Sequence, residues 1–105
     1  MMTMRKKIPE IHYRASRICR VLGNPTAYEV LKTLAKNNMQ PSELANIFGL
    51  SVPTICDVLR SLRQIDLVRY ITVDRGKVYF LKDLKILSVI EQLEHLVKRI
   101  KTVDY

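Results

Sequence analysis

Between Met39 and Leu81 two short helical patterns meet at a tight turn and are followed at once by two strand-like runs. The first half reads Gln40-Pro-Ser-Glu-Leu-Ala-Asn-Ile-Phe-Gly49-Leu-Ser51-Val-Pro-Thr-Ile-Cys-Asp-Val-Leu-Arg60-Ser-Leu62. A helix of about eight residues stops at Gly49 and a second begins after Ser51, leaving a connection of about three residues. That spacing predicts a helix-turn-helix, a motif that presents its second helix to a DNA major groove. Next come Leu67-Val-Arg-Tyr-Ile-Thr-Val73, the turn Asp74-Arg75-Gly76, and Lys77-Val-Tyr-Phe-Leu81. Two strands around an Asp-x-Gly turn make a hairpin with a basic tip. A helix-turn-helix with a hairpin directly behind it is a winged helix, and double-stranded DNA is the usual partner of such an arrangement.

Charge points the same way. Eighteen Lys and Arg against ten Asp and Glu leave a net charge of +8 on 105 residues, which favours a polyanion. The length suits one domain over residues 1–105, near the size at which dimerisation helps. A hydrophobic content of 48% with only 3 Gly and 4 Pro argues for a folded, mostly helical chain. No apolar run approaches the roughly 18–20 residues needed to span a bilayer. Arg5, Lys6 and Lys7 are followed by no apolar segment or small-residue cleavage site. The expectation is a cytoplasmic protein with no membrane partner.

The remaining helices follow from periodicity. Ile8, Ile11, Ala15, Ile18 and Leu22 recur at spacings of three and four, a helical stripe with a coiled-coil-like seam. Gly23 suits its C-terminal cap, and Asn24-Pro25 supplies an N-cap and a first-turn proline for the second helix, which turns Tyr28, Val30, Leu31 and Leu34 inward and fades at Asn37-Asn38. Pro41 opens the third helix, with Leu44, Ala45, Ile47 and Phe48 apolar. Ser51 caps the fourth, whose inner face is Ile55, Val58, Leu59, Leu62 and Ile65. Asp83 is the N-cap expected for a last helix over about residues 84–101, in which Ile86, Ile90, Leu93, Val97 and Ile100 repeat at four and three. Val89, Leu96 and Val103 widen that stripe. A small domain has too little of its own surface to cover so broad a face. The simplest solution is a two-fold dimer in which the first and last helices of both subunits pack together; the alternative is that both stripes are ordinary core.

Several short phrases fall in order with matching gaps: Leu22-Gly-Asn-Pro-Thr26, Val30-Leu-Lys-Thr-Leu34, Ser42-Glu-Leu-Ala45, Gly49-Leu-Ser51, Thr54-Ile55, Leu59-Arg60-Ser-Leu62 and Leu67-Val68. Over about residues 18–81 the chain resembles the ArsR/SmtB-type winged-helix repressors, a pattern that small archaeal winged-helix regulators share. The resemblance implies a homodimeric transcription regulator on a partly palindromic operator. Its fourth helix would enter the major groove, and its wing would follow the backbone or the minor groove.

The candidate DNA contacts are then Gln40, Ser51, Val52, Pro53, Thr54, Cys56, Asp57, Arg60 and Arg63, with Arg75 and Lys77 on the wing. The candidate dimer contacts are Ile11, Ala15, Ile18, Leu22, Ile86, Ile90, Leu93, Val97 and Ile100. Where the family often carries Ser and then the Arg of an Arg-His pair, this chain has Cys56 and Asp57. Asp57 either accepts a hydrogen bond from a cytosine amino group or is a simple surface charge. Val52 and Pro53 suit thymine methyls, and Arg60 and Arg63 suit phosphates.

Both metal-sensor sites that the resemblance implies look broken. The stretch Met39–Leu44 has no cysteine, and Lys85 and Lys98 replace two imidazole or carboxylate ligands of the last-helix site. Glu91 and His95 share a helix face with Glu94 beside them. They read as a solvated pair first, and as a cluster across a two-fold axis second. His12 reads as a surface or dimer-edge residue. Cys19 and Cys56 read as free thiols; a Cys19 bond between subunits and a redox role for Cys56 are the minority alternatives. Tyr70 and Tyr79 read as packing residues. No phosphate loop, nucleophile–base phrase or carboxylate pair suggests an enzyme, and no cofactor is expected. Beside a sequence-specific regulator stand two other readings, an architectural DNA binder with little sequence preference and a winged helix used only for protein contact.

Overall fold

Four of the five helices start where the sequence supplies a partner for otherwise unpaired first-turn N–H groups. Asn24 Oδ1 accepts from Ala27 N at 3.0 Å, Ser51 Oγ from Thr54 N at 3.2 Å, and Asp83 Oδ1 from Lys85 N at 2.9 Å. Before the third helix the Glu43 carboxylate reaches back to Gln40 N at 2.9 Å, half of a capping box. The computed structural model describes residues 7–74 and 76–102. It runs α1 (Glu10–Leu22), α2 (Pro25–Lys36), α3 (Pro41–Phe48), α4 (Val52–Gln64), β1 (Val68–Val73), β2 (Gly76–Leu81) and α5 (Lys85–Thr102). This is a mainly α winged helix-turn-helix, as the spacing predicts. Arg5, Lys6, Arg75 and Val103 lie outside the described residues.

The core is made by the inner faces of α2, α3 and α4. Val30, Leu31, Leu44, Ile55, Leu59 and Leu62 are each 0% exposed, joined by Val68 at the root of β1. Burying one such side chain is worth about 1.5–3 kcal/mol. Gly49 ends α3 at φ 64°, a left-handed conformation that side chains resist, and its N–H donates to Ala45 O. That turn sets α4 across α3.

The hairpin is antiparallel, in register from Val68↔Leu81 to Val73↔Gly76. Val68, Tyr79 and Leu81 are buried at its base, while Ile71 and Val73 stand in solvent toward the tip. The wing is therefore rooted in the core and projects from it. Two details differ from the sequence reading. Gly76 pairs with Val73 and so belongs to the second strand rather than to the turn, and Asp74 has φ 49°, a region that aspartate tolerates. Met39 also pairs with Tyr79 through Met39 N to Tyr79 O (3.1 Å) and Tyr79 N to Met39 O (2.8 Å). A single bridging residue leaves no strand-length pattern for a sequence reader to find.

Helix α5 corrects part of the expected seam. Ile86 and Ile90 are 7% and 2% exposed, in the subunit's own core rather than on an outward face. They share an i, i+4 row with Glu94, which reaches α2, so that row packs inward. Leu93, Val97 and Ile100 remain uncovered, with Val89 and Leu96 beside them. Helix α1 has no buried residue: Ile11 and Ala15 are exposed, Ile18 and Leu22 half-buried.

Candidate nucleic-acid interface

Helix α4 turns Ile55, Leu59 and Leu62 into the core, so its 3.6-residue period presents Pro53, Asp57, Arg60 and Gln64 to solvent. At its start Ser51 Oγ and Thr54 Oγ1 lie 2.8 Å apart, so these two hydroxyls are engaged in holding the helix end. Val52 is 43% exposed beside them, an apolar patch at the tip of the helix. Cys56 is half-buried on one flank. Asp57 Oδ1 accepts from Arg60 Nη1 at 3.1 Å, and both side chains are exposed. The acidic and basic residues of the outward face thus partly neutralise each other. An exposed pair of this kind adds at most about 1 kcal/mol.

Arg63, one turn on, points toward the wing. Its guanidinium carbon lies 5.4 Å from the centre of the Tyr70 ring, and Lys77 Nζ lies 4.6 Å from the same centre. Tyr70 pairs in register with Tyr79, the two ring centres 5.2 Å apart. One aromatic ring on β1 therefore gathers a cation from α4 and a cation from β2, by the attraction of positive charge for a π face. From the sequence Tyr70 reads as a packing residue only. The signal that finds its second role is the hairpin register: Lys77 faces Thr72, two residues from Tyr70, and is thus its diagonal neighbour on one face of the hairpin.

Gln40 lies beside the wing rather than beside α4. A Cβ on Gly76 would sit 3.0 Å from Gln40 Nε2, so a larger residue there would push the Gln40 amide back from the wing tip. Ser51, Val52, Pro53, Thr54, Cys56, Asp57, Arg60 and Arg63 share one helix and its cap, and Lys77 joins them through Tyr70. Arg75 lies outside the described residues.

Two charged clusters tie elements of the fold together. At the base of the wing Asp66, at φ 65°, accepts from Lys82 and from Arg69 Nε at 3.5 Å. The Lys82 hydrogen bond, ahead of the charges of Lys82 and Arg69, holds its carboxyl below the usual value. On α5 the Glu94 carboxylate accepts from Lys32 Nζ at 2.7 Å and Tyr28 Oη at 2.8 Å. These two donors, Lys32 first, depress its pKa. Among the described residues no group of three or more His, Cys, Asp and Glu side chains is placed to hold a metal ion. No described helix is long and apolar enough to cross a membrane.

The family model described as "Bacterial regulatory protein, arsR family" matches residues 24–70, from the cap of α2 into β1. No curated protein matches the chain. Among solved structures, NolR from Sinorhizobium fredii superimposes with a TM-score of 0.76 at 25% identity, covering 89% of this chain and 96% of NolR. HlyU from Vibrio cholerae gives 0.75 at 22% identity, over 85% of this chain and 97% of HlyU. A homodimeric winged helix-turn-helix DNA-binding domain from Mycobacterium bovis, described as a possible ArsR-family transcriptional regulator, gives 0.79 at 15% identity. That match covers 93% of this chain and 91% of the other. The arsR-family model thus spans both helices of the motif, and the winged helix-turn-helix fold is shared along most of the chain with these proteins.

Proposed function

We propose that the chain is a homodimeric, cytoplasmic DNA-binding transcription regulator that sets α4 in the major groove and its wing against the phosphate backbone. The observation that carries this reading is the Tyr70 cluster, which draws Arg63 of α4 and Lys77 of the wing to one ring. A net charge of +8 supplies the long-range attraction to a polyanion. Val52 and Pro53 meet thymine methyls at the leading end of the helix, and Arg60 and Arg63 meet phosphates. The dimer covers the exposed Leu93, Val97 and Ile100 of α5 with the uncovered stripe of α1. Ile86 and Ile90 support that interface from beneath.

The protein acts without a metal effector of the family's usual kinds. Lys85 occupies a ligand position, and Glu94 is already committed to Lys32 and Tyr28. It is a binding protein, not an enzyme. The Asp57–Arg60 pair favours a second reading, an architectural binder with little sequence preference, because it leaves the outward face of α4 with little unpaired base-reading charge. Replacing Lys77 by Ala tests the wing. Binding should weaken on every duplex, and the slope of log affinity against log salt should flatten by about 0.9 for each phosphate that the variant no longer neutralises. Replacing Asp57 by Asn separates the two readings, since it changes which sequence is preferred only if α4 reads bases.

A further inference from the structure

We infer that α1 forms a second phosphate-binding track, on the flank of α4 opposite the wing, through Arg14, Arg17 and above all Arg20. The inference rests on the DNA-binding reading and extends it to a helix that the dimer model treats only as an interface.

Position is the first argument. The wing borders α4 on the Arg63 side, where Tyr70 meets that residue. On the other side, Asp57, Val58 and Ser61 of α4 share a cleft with Arg20 and Val21 of α1, the Asp57 carboxylate being engaged by Arg60. Arg14, Arg17 and Ile18 line a second cleft with Gln64 and Ile65 at the end of α4 and with Asp66, whose carboxylate is engaged by Lys82 and Arg69. The arginines therefore run beside the recognition helix along the border that the wing leaves open. A helix lying in a major groove has a sugar–phosphate backbone on each side, so a wing on one flank leaves the other backbone to whatever borders α4 there.

Charge is the second argument. The described carboxylates that form ion pairs are Asp57, Asp66 and Glu94, and their partners are Arg60, Arg69, Lys82 and Lys32. None of them pairs with Arg14, Arg17 or Arg20. These three are exposed, and guanidinium groups fit phosphate oxygens two at a time. Arg14, three residues after Ile11 and four before Ile18, borders the apolar stripe Ile11, Ala15, Ile18 and Leu22, and Arg17 lies further round the helix. Arg20, two residues from both Ile18 and Leu22, lies across the helix from that stripe, so one helix can serve a subunit interface and DNA at once.

The test compares the salt dependence of binding to a mixed-sequence DNA duplex several helical turns long. It uses the wild-type chain, Lys77→Ala, Arg17→Gln/Arg20→Gln and Arg17→Lys/Arg20→Lys, each first confirmed by circular dichroism and sedimentation to keep fold and oligomeric state. The Gln pair should flatten the log–log slope by up to about 1.8 per subunit, at about 0.9 per phosphate, and the Lys pair should keep the wild-type slope. A Gln pair with the wild-type slope, while Lys77→Ala is flattened, overturns the α1 track and leaves the DNA-binding reading standing. A Lys pair as flat as the Gln pair also overturns it, because charge is then not what matters. A wild-type chain with no salt-sensitive binding overturns both.

Discussion

On the proposed dimer, helix α5 serves two structures, and single substitutions on adjacent faces should separate them. Ile90 is 2% exposed in the core of its own subunit, whereas Leu93, one turn along, is 41% exposed and faces out. Ile90→Ala removes buried methyl and methylene groups and leaves a cavity, which costs about 2–5 kcal/mol. That loss belongs to the subunit, so it should appear at every protein concentration. Leu93→Ala acts on the proposed dimer. A fully buried leucine is worth about 1.5–3 kcal/mol, and two-fifths of its surface awaits the partner, so each subunit contributes about 0.6–1.2 kcal/mol. Two copies meet in the interface, and the dimer should weaken roughly tenfold to fiftyfold. Sedimentation equilibrium reads the association constant, and urea unfolding at low and high protein concentration reads the subunit. The reasoning is refuted if Leu93→Ala leaves association unchanged, or if Ile90→Ala loses stability only on dilution.

Other consequences concern the ring and the α2–α5 clamp. Tyr70→Phe keeps the π face and should bind DNA as the wild type does. Tyr70→Leu should release Arg63 and Lys77, weaken binding by up to about fivefold for roughly 1 kcal/mol of cation–π positioning, and shift their side-chain NMR resonances; equal behaviour of the two variants would sink the positioning role. Glu94 ionises below its ordinary value of 4.5, so the folded state holds its proton more weakly than the unfolded one. Its contribution is present above pH 4.5 and fades as pH falls through the lower folded value. Glu94→Gln should therefore flatten the acid limb of a urea-midpoint profile, without abolishing it because Asp66 titrates in the same direction; an unchanged limb would show that the clamp carries no linkage.

Much of this architecture is legible in residues that act locally. Asn24, Ser51 and Asp83 each accept the N–H that a helix start leaves free, and Gly49 takes the left-handed turn, so those boundaries follow from neighbours in the chain. The α4 face follows from its period in the same way. What the sequence hides depends on distance in space. Met39 joins the sheet through one pair of hydrogen bonds to Tyr79, forty residues on, with no alternation to mark it. Ile86 and Ile90 carry the same spacing as Leu93 and Val97, and periodicity alone does not say which turn of a broad apolar stripe meets its own core. The Glu94 clamp to α2 decides it. The Tyr70 cluster needs the hairpin register, and the α1 arginines need the placement of α1 beside α4. The site is thus visible in outline from the sequence, and its borders are not.

A hydroxyl-radical footprint of the wild-type protein on the DNA upstream of its own gene tests the central claim most directly. A dimer with α4 in the groove should protect two symmetry-related patches one helical turn apart, roughly 34 Å, at a discrete site whose occupancy falls steeply with salt. Uniform protection that spreads with protein concentration would favour the architectural reading instead. An unprotected duplex at every concentration and at low salt would contradict DNA binding outright.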